Sequence, residues 1–512
     1  MFKLFGGKKS DHPMADLKEA RRILEEVALS DGFQALDELR SWHESVRVAE
    51  DFKHEHKAQL AFLIDEAAQI HLRKLARDYF ASPRLSKVQE SRLWTAIHSY
   101  WGEAAHAFVA LIDAHAEGAS GLKGSIAQLT VRALRALAQQ MKWAYMRYGP
   151  FDEGIWGVVA KVYALAETRK YARTRVPVYP LVPGDSSPEQ EFLRAVMLSA
   201  SSPDSLLPHE IELAERLIAH FAESFTLVLD QQPDIAYWID LATSQPPLRL
   251  ARPPKHAPTL RFFAAGPAIV QLEQLLGKVK LQNAVPSEVN LGGTYEPAMV
   301  LDVLNHLAPY WSAKPPERRH QRHRVKSRLS VTHGIDGVLV ALGVSSSLDF
   351  EAGSVDSWIV ENVSAGGFGV TVPNVRGEWL KINCLLGLQP EGGDNWVIGL
   401  VRRFNRDSPQ QGSVGIQTLS RYPLNVQLRM QSGEFANSAG TETGIVLDAQ
   451  ALNTATEVQL LLRAGVLGEG HAQGLEFDHD GKTFLLLPQG VTDHGDDYEL
   501  VRFRLMIRDT GE

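Results

Sequence analysis

The sequence predicts a multidomain α + β protein. An all-α N-terminal scaffold, a bundle or a set of helical hairpins, precedes a C-terminal antiparallel β-barrel and a further small β region. Three observations carry this expectation. Apolar residues recur at three- and four-residue steps from about position 15 to 225, the period of a helix with one buried face. From position 325 the pattern changes to short alternating runs divided by turn residues, as in a small barrel or sandwich. At 512 residues, moreover, the chain exceeds what one core ordinarily serves.

Taken in order, 1–14 reads as a solvated, flexible tail. Its Met1-Phe-Lys-Leu-Phe opening is too short in apolar residues for a secretory signal. Within the helical domain, 15–225, Asp16 is placed to cap a helix bearing Leu17, Ile23, Leu24 and Val27. Further stripes are Leu60, Ile64, Ala67, Ala68, His71 and Leu75; Leu93, Ile97, Tyr100, Ala104, Phe108 and Leu111; and Leu129, Ala133, Leu137 and Met141. Residues 151–174 look like a tetratricopeptide-type hairpin, although no regular period is found. Such scaffolds ordinarily hold protein partners, and a protein partner is expected here. A mixed connecting region, 226–315, offers strands at 225–230, 248–251 and 260–264 and helices at 270–279 and 296–307. Strands are then expected at 325–332, 337–343, 357–363, 368–372, 379–388, 396–404 and 413–419, within a barrel domain placed at 316–435. The remainder, 436–512, reads as a second β domain or an extension of the first, with an acidic, solvated face at 493–497.

Bulk properties narrow the function. A formal net charge of −8 argues against a general binder of nucleic-acid polymers, so any basic function must be local. The single cysteine, Cys384, excludes an internal disulfide and a multi-thiolate metal site and fits a reducing cytoplasm. It lies in an apolar run and reads as a buried structural thiol. No apolar stretch approaches the roughly 18–20 residues that span a bilayer.

Catalytic signatures are missing. There is no phosphate loop, H-E-x-x-H or G-x-S-x-G, and neither a metal site nor a resident cofactor is expected. The imidazoles of His54 and His56 stand two apart on a helix, on different faces, and read as a solvated helix start. Asp478-His479-Asp480-Gly481 resembles the opening of a calcium loop. Lys482 and Gln489 fall where ligand carboxylates belong, so a hairpin turn is the better reading. The expectation is therefore a protein that is not an enzyme.

The strongest functional lead is a divided motif. A basic cluster, Arg318-Arg319-His320-Gln321-Arg322-His323-Arg324, precedes the strands, and Asn362-Val363-Ser364-Ala365-Gly366-Gly367 follows. Arginine offers a planar fork that binds phosphate oxygens in pairs and stacks on a base. On an extended strand Asn362 and Ser364 face one side, where their polar groups can read a base edge. Gly366 and Gly367 allow a tight turn or a close backbone approach.

Arranged as R-x-x-x-R and then [D/N]-x-S-x-x-G, these residues resemble the signature of the PilZ family, bacterial receptor domains for cyclic di-GMP. The resemblance covers about 316–422. It implies a β-barrel, cyclic di-GMP as the ligand, and ligand contacts from Arg318 and Arg322, with Arg319 and Arg324 contributing, and from Asn362, Ser364, Gly366 and Gly367. Two features depart from the pattern. Forty positions separate Arg322 from Asn362, which implies an extra loop or strand around 336–356. The arginine register is also open, because Arg324 directly precedes the strand residue Val325. The resulting expectation is a cytoplasmic cyclic di-GMP receptor. Its arginine cluster is mobile until ligand binds, and closure then reorients the helical and β parts and alters partner binding. A ligand-blind PilZ-like scaffold and an enzyme seated in the helical half are the alternatives.

Overall fold

In a computed structural model the described residues are 11–81, 85–180, 184–317, 320–344, 355–375, 379–430, 442–467 and 474–509. The chain forms two units, Met1–Arg147 with Phe151–Pro316, and Tyr148–Pro150 with Glu317–Glu512.

Helices dominate the first unit: α1 (Leu17–Val27), α2 (Gly32–Val48), α3 (His54–Ala81), α4 (Lys87–Ala116), α5 (Ile126–Tyr145) and α6 (Ile155–Thr168). After a two-stranded ladder of β1 (Val176–Pro177) and β2 (Asp185–Ser186) come α7 (Pro188–Ala200) and α8 (Pro208–Phe221). Their starts are chemically marked. Asp16 accepts from the amides of Lys18 and Glu19 at 2.9 and 3.0 Å, and Ser86 with Gln89 and Ser187 with Gln190 form reciprocal capping boxes. The apolar stripes become the core: Leu60, Ile64, Leu93, Ile97, Phe108, Leu129 and Leu137 are all buried.

Residues 151–174 hold the single helix α6 between turns, not a helical hairpin. It ends where Lys170 takes a left-handed φ of +62°. Downstream, β3 (Thr226–Val228), β4 (Tyr237–Asp240), β5 (Leu248–Arg249) and β6 (Leu260–Ala264) make an antiparallel sheet in the order β3-β6-β4-β5. With α9 (Ala268–Gln282) and α10 (Pro297–Trp311) it joins the helical core through Tyr237, Phe263, Leu272, Leu304 and Trp311.

A row of buried charges runs along α5. The Arg132 guanidinium bonds Asp65 and reaches Glu66 at 3.1 Å. It lies 3.9 Å over the Tyr179 ring. Arg135 pairs with Glu191 at 2.6 Å, and Lys142 with Glu212 at 2.6 Å. Removing one partner of such a pair strands a buried charge, so these contacts fix which helices meet.

In the second unit two closed six-stranded barrels follow one another. The first contains β7 (His323–His333), α11 (Gly334–Ala341), β8 (Asp356–Ser364), β9 (Gly367–Val372), β10 (Leu385–Pro390), β11 (Val397–Arg406) and β12 (Gly412–Ser420). Its strands close in the order β10-β11-β12-β9-β8-β7. The second is built from β13 (Leu424–Met430), β14 (Glu442–Val446), β15 (Glu457–Arg463), β16 (Leu475–His479), β17 (Lys482–His494) and β18 (Tyr498–Asp509), closing as β13-β14-β15-β18-β17-β16. β13 lies before the expected boundary at 435, yet it pairs with β14 and β16 and so belongs to the second barrel.

One expectation is corrected. The strand expected at 337–343 is helical: Ile335, Val338 and Leu339 are buried at helical spacing, a pattern that short apolar runs leave ambiguous. This helix, rather than an extra strand, fills the start of the long interval before Asn362; 345–354 lies outside the described residues. The acidic stretch 493–497 is largely exposed, as expected, with Asp496 and Asp497 both exposed, and it also carries specific contacts. Asp493 bonds Arg402, Asp496 bonds Lys381, and Asp497 accepts from the Ile335 amide at 2.7 Å. Ile335, Leu385, Ile398 and Leu400 of the first barrel share a core with Ile445, Leu461, Tyr498 and Leu500 of the second. The turn between β16 and β17 is the expected hairpin, with left-handed Asp480 and Gly481.

Candidate ligand-binding site

The second half of the divided motif is a hairpin. β8 and β9 pair with Ser364 opposite Gly367, leaving Ala365 and Gly366 as a two-residue turn. Gly367 must lack a side chain. Its φ is +151°, and a Cβ would stand 1.9 Å from the Ile416 carbonyl oxygen on β12. The turn is tied down from outside: the Thr418 amide donates to the Gly366 carbonyl at 3.0 Å, and Arg421 donates to that of Ala365 at 3.3 Å. The Ser364 hydroxyl faces the Gly367 carbonyl at 3.4 Å.

The basic half arrives from β7, which pairs with β8 so that Arg324 faces Asn362 and His323 faces Val363. The Arg322 guanidinium donates to the Asn362 side-chain carbonyl at 2.9 Å. His320 lies over the turn, close enough that a Cβ on Gly366 would come within 2.9 Å of its ring. Gly369, opposite Asn362 on β9, leaves room for the amide; a Cβ there would be 2.6 Å from its oxygen. Of the residues singled out from the sequence, Arg322, Arg324, Asn362, Ser364, Gly366 and Gly367 are thus gathered at one end of the β7-β8-β9 ribbon. Arg318 and Arg319 lie outside the described residues.

A groove of about 420 Å³ opens beside this contact, lined by Arg324, Val325, Lys326, Glu361 and Asn362. Adjacent residues of a regular strand point to opposite faces, so five lining residues from two such short stretches need an explanation. Both strands are bulged there. Pairing slips between Arg324 and Ser327 on β7 and between Val360 and Asn362 on β8. Bulges re-aim side chains, and these turn Arg324, Val325 and Lys326 all outward. Residue spacing carries no sign of the bulges, and therefore none that Lys326 and Glu361 line one groove with Asn362.

Away from the ribbon, His56 is not merely solvated, because its ring nitrogen bonds the Met14 carbonyl at 2.9 Å. Burial, with Asp497 nearby, pushes the Cys384 thiol up to about 12. Among the described residues no cluster of three or more His, Cys, Asp or Glu side chains could hold a metal ion, and no helix is long and apolar enough to cross a membrane.

No curated protein matches the chain. Residues 18–233, less than half of the 512, match the family model described as the N-terminal domain of the cyclic-di-GMP receptor FimW. The match therefore falls on α1–α8 and reaches into the small sheet, whereas the divided motif lies in the first barrel. By this comparison the helical part of the chain is similar to the N-terminal domain of a cyclic-di-GMP receptor.

Proposed function

We propose that this protein is a non-catalytic cyclic di-GMP receptor, that its first barrel is a PilZ-like module, and that the ligand binds at the β7-β8-β9 ribbon. The observation that carries the reading is the Arg322–Asn362 contact. Forty residues apart in sequence, the two halves of the motif meet beside an open groove. An independent support is the family description attached to 18–233, which names the same ligand.

Arg318, Arg319, Arg322 and Arg324 supply phosphate and stacking contacts, while Asn362 and Ser364 read a base over the bare backbone of Gly366 and Gly367. A charge-assisted hydrogen bond contributes roughly 1.5–3 kcal/mol, so two arginines supply much of the roughly 8 kcal/mol of micromolar binding. Closure of the cluster over the ligand reorients the helical and β parts and changes the hold of the helical domain on a protein partner in the bacterial cytoplasm.

Calorimetry on the whole chain tests this. Arg322→Ala should weaken cyclic di-GMP binding by about tenfold or more. No heat with folded protein at high micromolar ligand would instead mark a ligand-blind scaffold. Superimposable scattering curves with and without ligand would remove the reorientation step.

A further inference from the structure

We infer that Glu361 is the specificity-determining residue of the groove, its carboxylate accepting from the N1–H and 2-amino groups of a guanine base. The inference rests on the receptor reading above and deepens it.

A carboxylate in a site for a dianionic ligand calls for a reason, since it repels the phosphates that the arginines attract. Glu361 is not explained by pairing. It shares the groove with Arg324 and Lys326, yet it makes no ion pair with either among the described residues. Its one hydrogen bond there is a long one, 3.3 Å from the Thr371 hydroxyl to Oε1. Glu361 continues the outward alternation of Ser357 and Ile359 on β8, so its carboxylate is presented on the outer face of the strand. The bulge at Val360/Asn362 then brings its neighbour Asn362 to the same groove.

The donors and acceptors on this wall match guanine. Arg322 occupies the Asn362 carbonyl oxygen, which leaves the Asn362 NH₂ as the group free to donate. It suits the guanine O6 and N7, which accept. Glu361 offers two acceptor oxygens, which suit the adjacent N1–H and 2-amino donors in a paired contact. Adenine has an acceptor at N1 and nothing at C2, so the carboxylate would face a lone pair. Arg324 and Lys326 remain on the opposite strand for the phosphates.

Calorimetry on the full chain with three probes decides the matter: cyclic di-GMP, cyclic di-inosine monophosphate, which lacks only the 2-amino groups, and cyclic di-AMP. The parent chain should prefer the guanine ligand over the inosine ligand by about tenfold or more, and over the adenine ligand by more still. In Glu361→Gln the guanine ligand should bind about tenfold more weakly and the guanine-to-inosine ratio should collapse toward one. Electrostatics alone predict the opposite sign, because removing a negative charge tightens binding of a dianion. Unchanged or tighter binding of cyclic di-GMP by Glu361→Gln, with the base preference kept, would overturn the Glu361 assignment and leave the receptor reading intact. No heat from the parent chain with any probe would overturn both. Glu361 is exposed on the barrel surface and Gln is nearly isosteric, so the melting temperature of the variant should match that of the parent.

Discussion

Replacing Gly369 by alanine separates binding from folding at the proposed site. Gly369 is not in the left-handed region, so alanine fits the backbone of β9. The new Cβ would lie 2.6 Å from Oδ1 and 2.7 Å from Nδ2 of Asn362. An ordinary carbon contact needs roughly 1 Å more, so the amide must swing away. A hydrogen bond of 2.9 Å to Arg322 does not survive a displacement of that size. Binding then loses one oriented amide and the guanidinium it holds, roughly 1.5–3 kcal/mol, or a factor of about ten to one hundred. Stability should move the other way or not at all. The contact is with the end of a flexible side chain, and Gly→Ala lowers the entropy of the unfolded chain by roughly 0.4–1 kcal/mol. Calorimetry with cyclic di-GMP and a thermal melt on the same sample read the two effects. An affinity within about twofold of the parent would show that the Asn362 amide plays no part in binding.

Three further outcomes follow from groups outside the groove. Arg132→Met keeps much of the side-chain volume but leaves Asp65 buried without its cation. Urea unfolding followed by the helical signal should show a loss of roughly 3–5 kcal/mol, and adding Asp65→Asn should restore part of it. Burial alone would raise the carboxyls of Glu191 and Glu215; Arg135 and Arg194 around the first, and Lys142 and Arg194 around the second, hold both down at about 2. A depressed carboxylate stabilises the fold above its unfolded pKa and loses that contribution as pH falls through the folded value. Stability of the helical unit should therefore decline from about pH 4.5 to 2 in acid titrations, and Glu191→Gln should flatten that limb. The Cys384 thiol, held protonated, should react with an aromatic disulfide reagent at pH 8 at least about one hundredfold more slowly than in urea-unfolded chain.

Much of this architecture was legible because its signals are local. Helical stripes such as Leu93, Ile97, Tyr100 and Phe108 need only a period and a cap to be read, and Asp480-Gly481 needs only its preference for left-handed φ. The motif halves were readable as residue types, and their meeting at Arg322 and Asn362 followed the order in which they occur. What escaped depends on neighbours distant in sequence. The helix at 334–341 looks like a strand in sequence, and only the fold brings Asp497 to accept from its first turn. The partners of the acids at 493–497 escaped because Lys381 and Arg402 lie about a hundred residues upstream. The bulges that set Lys326 beside Arg324 and Asn362 beside Glu361 are events of pairing between strands, which the residue types of one strand do not encode. The helical half gave least, since a packed helix face records its neighbours and not its ligand.

The core shared by the two barrels has a consequence for how the β part can be divided. Leu385, Ile398, Leu400, Ile335, Val338 and Leu339 form one apolar face of the first barrel, and its cover comes from Ile445, Leu461, Tyr498 and Leu500. A chain cut after β12 would present that face to water and strand Arg402 and Lys381 without their acids. Such a fragment would tend to self-associate through it. The first barrel is therefore not a portable cassette: whatever moves it, by domain shuffling or by a biochemist's scissors, must carry its companion along.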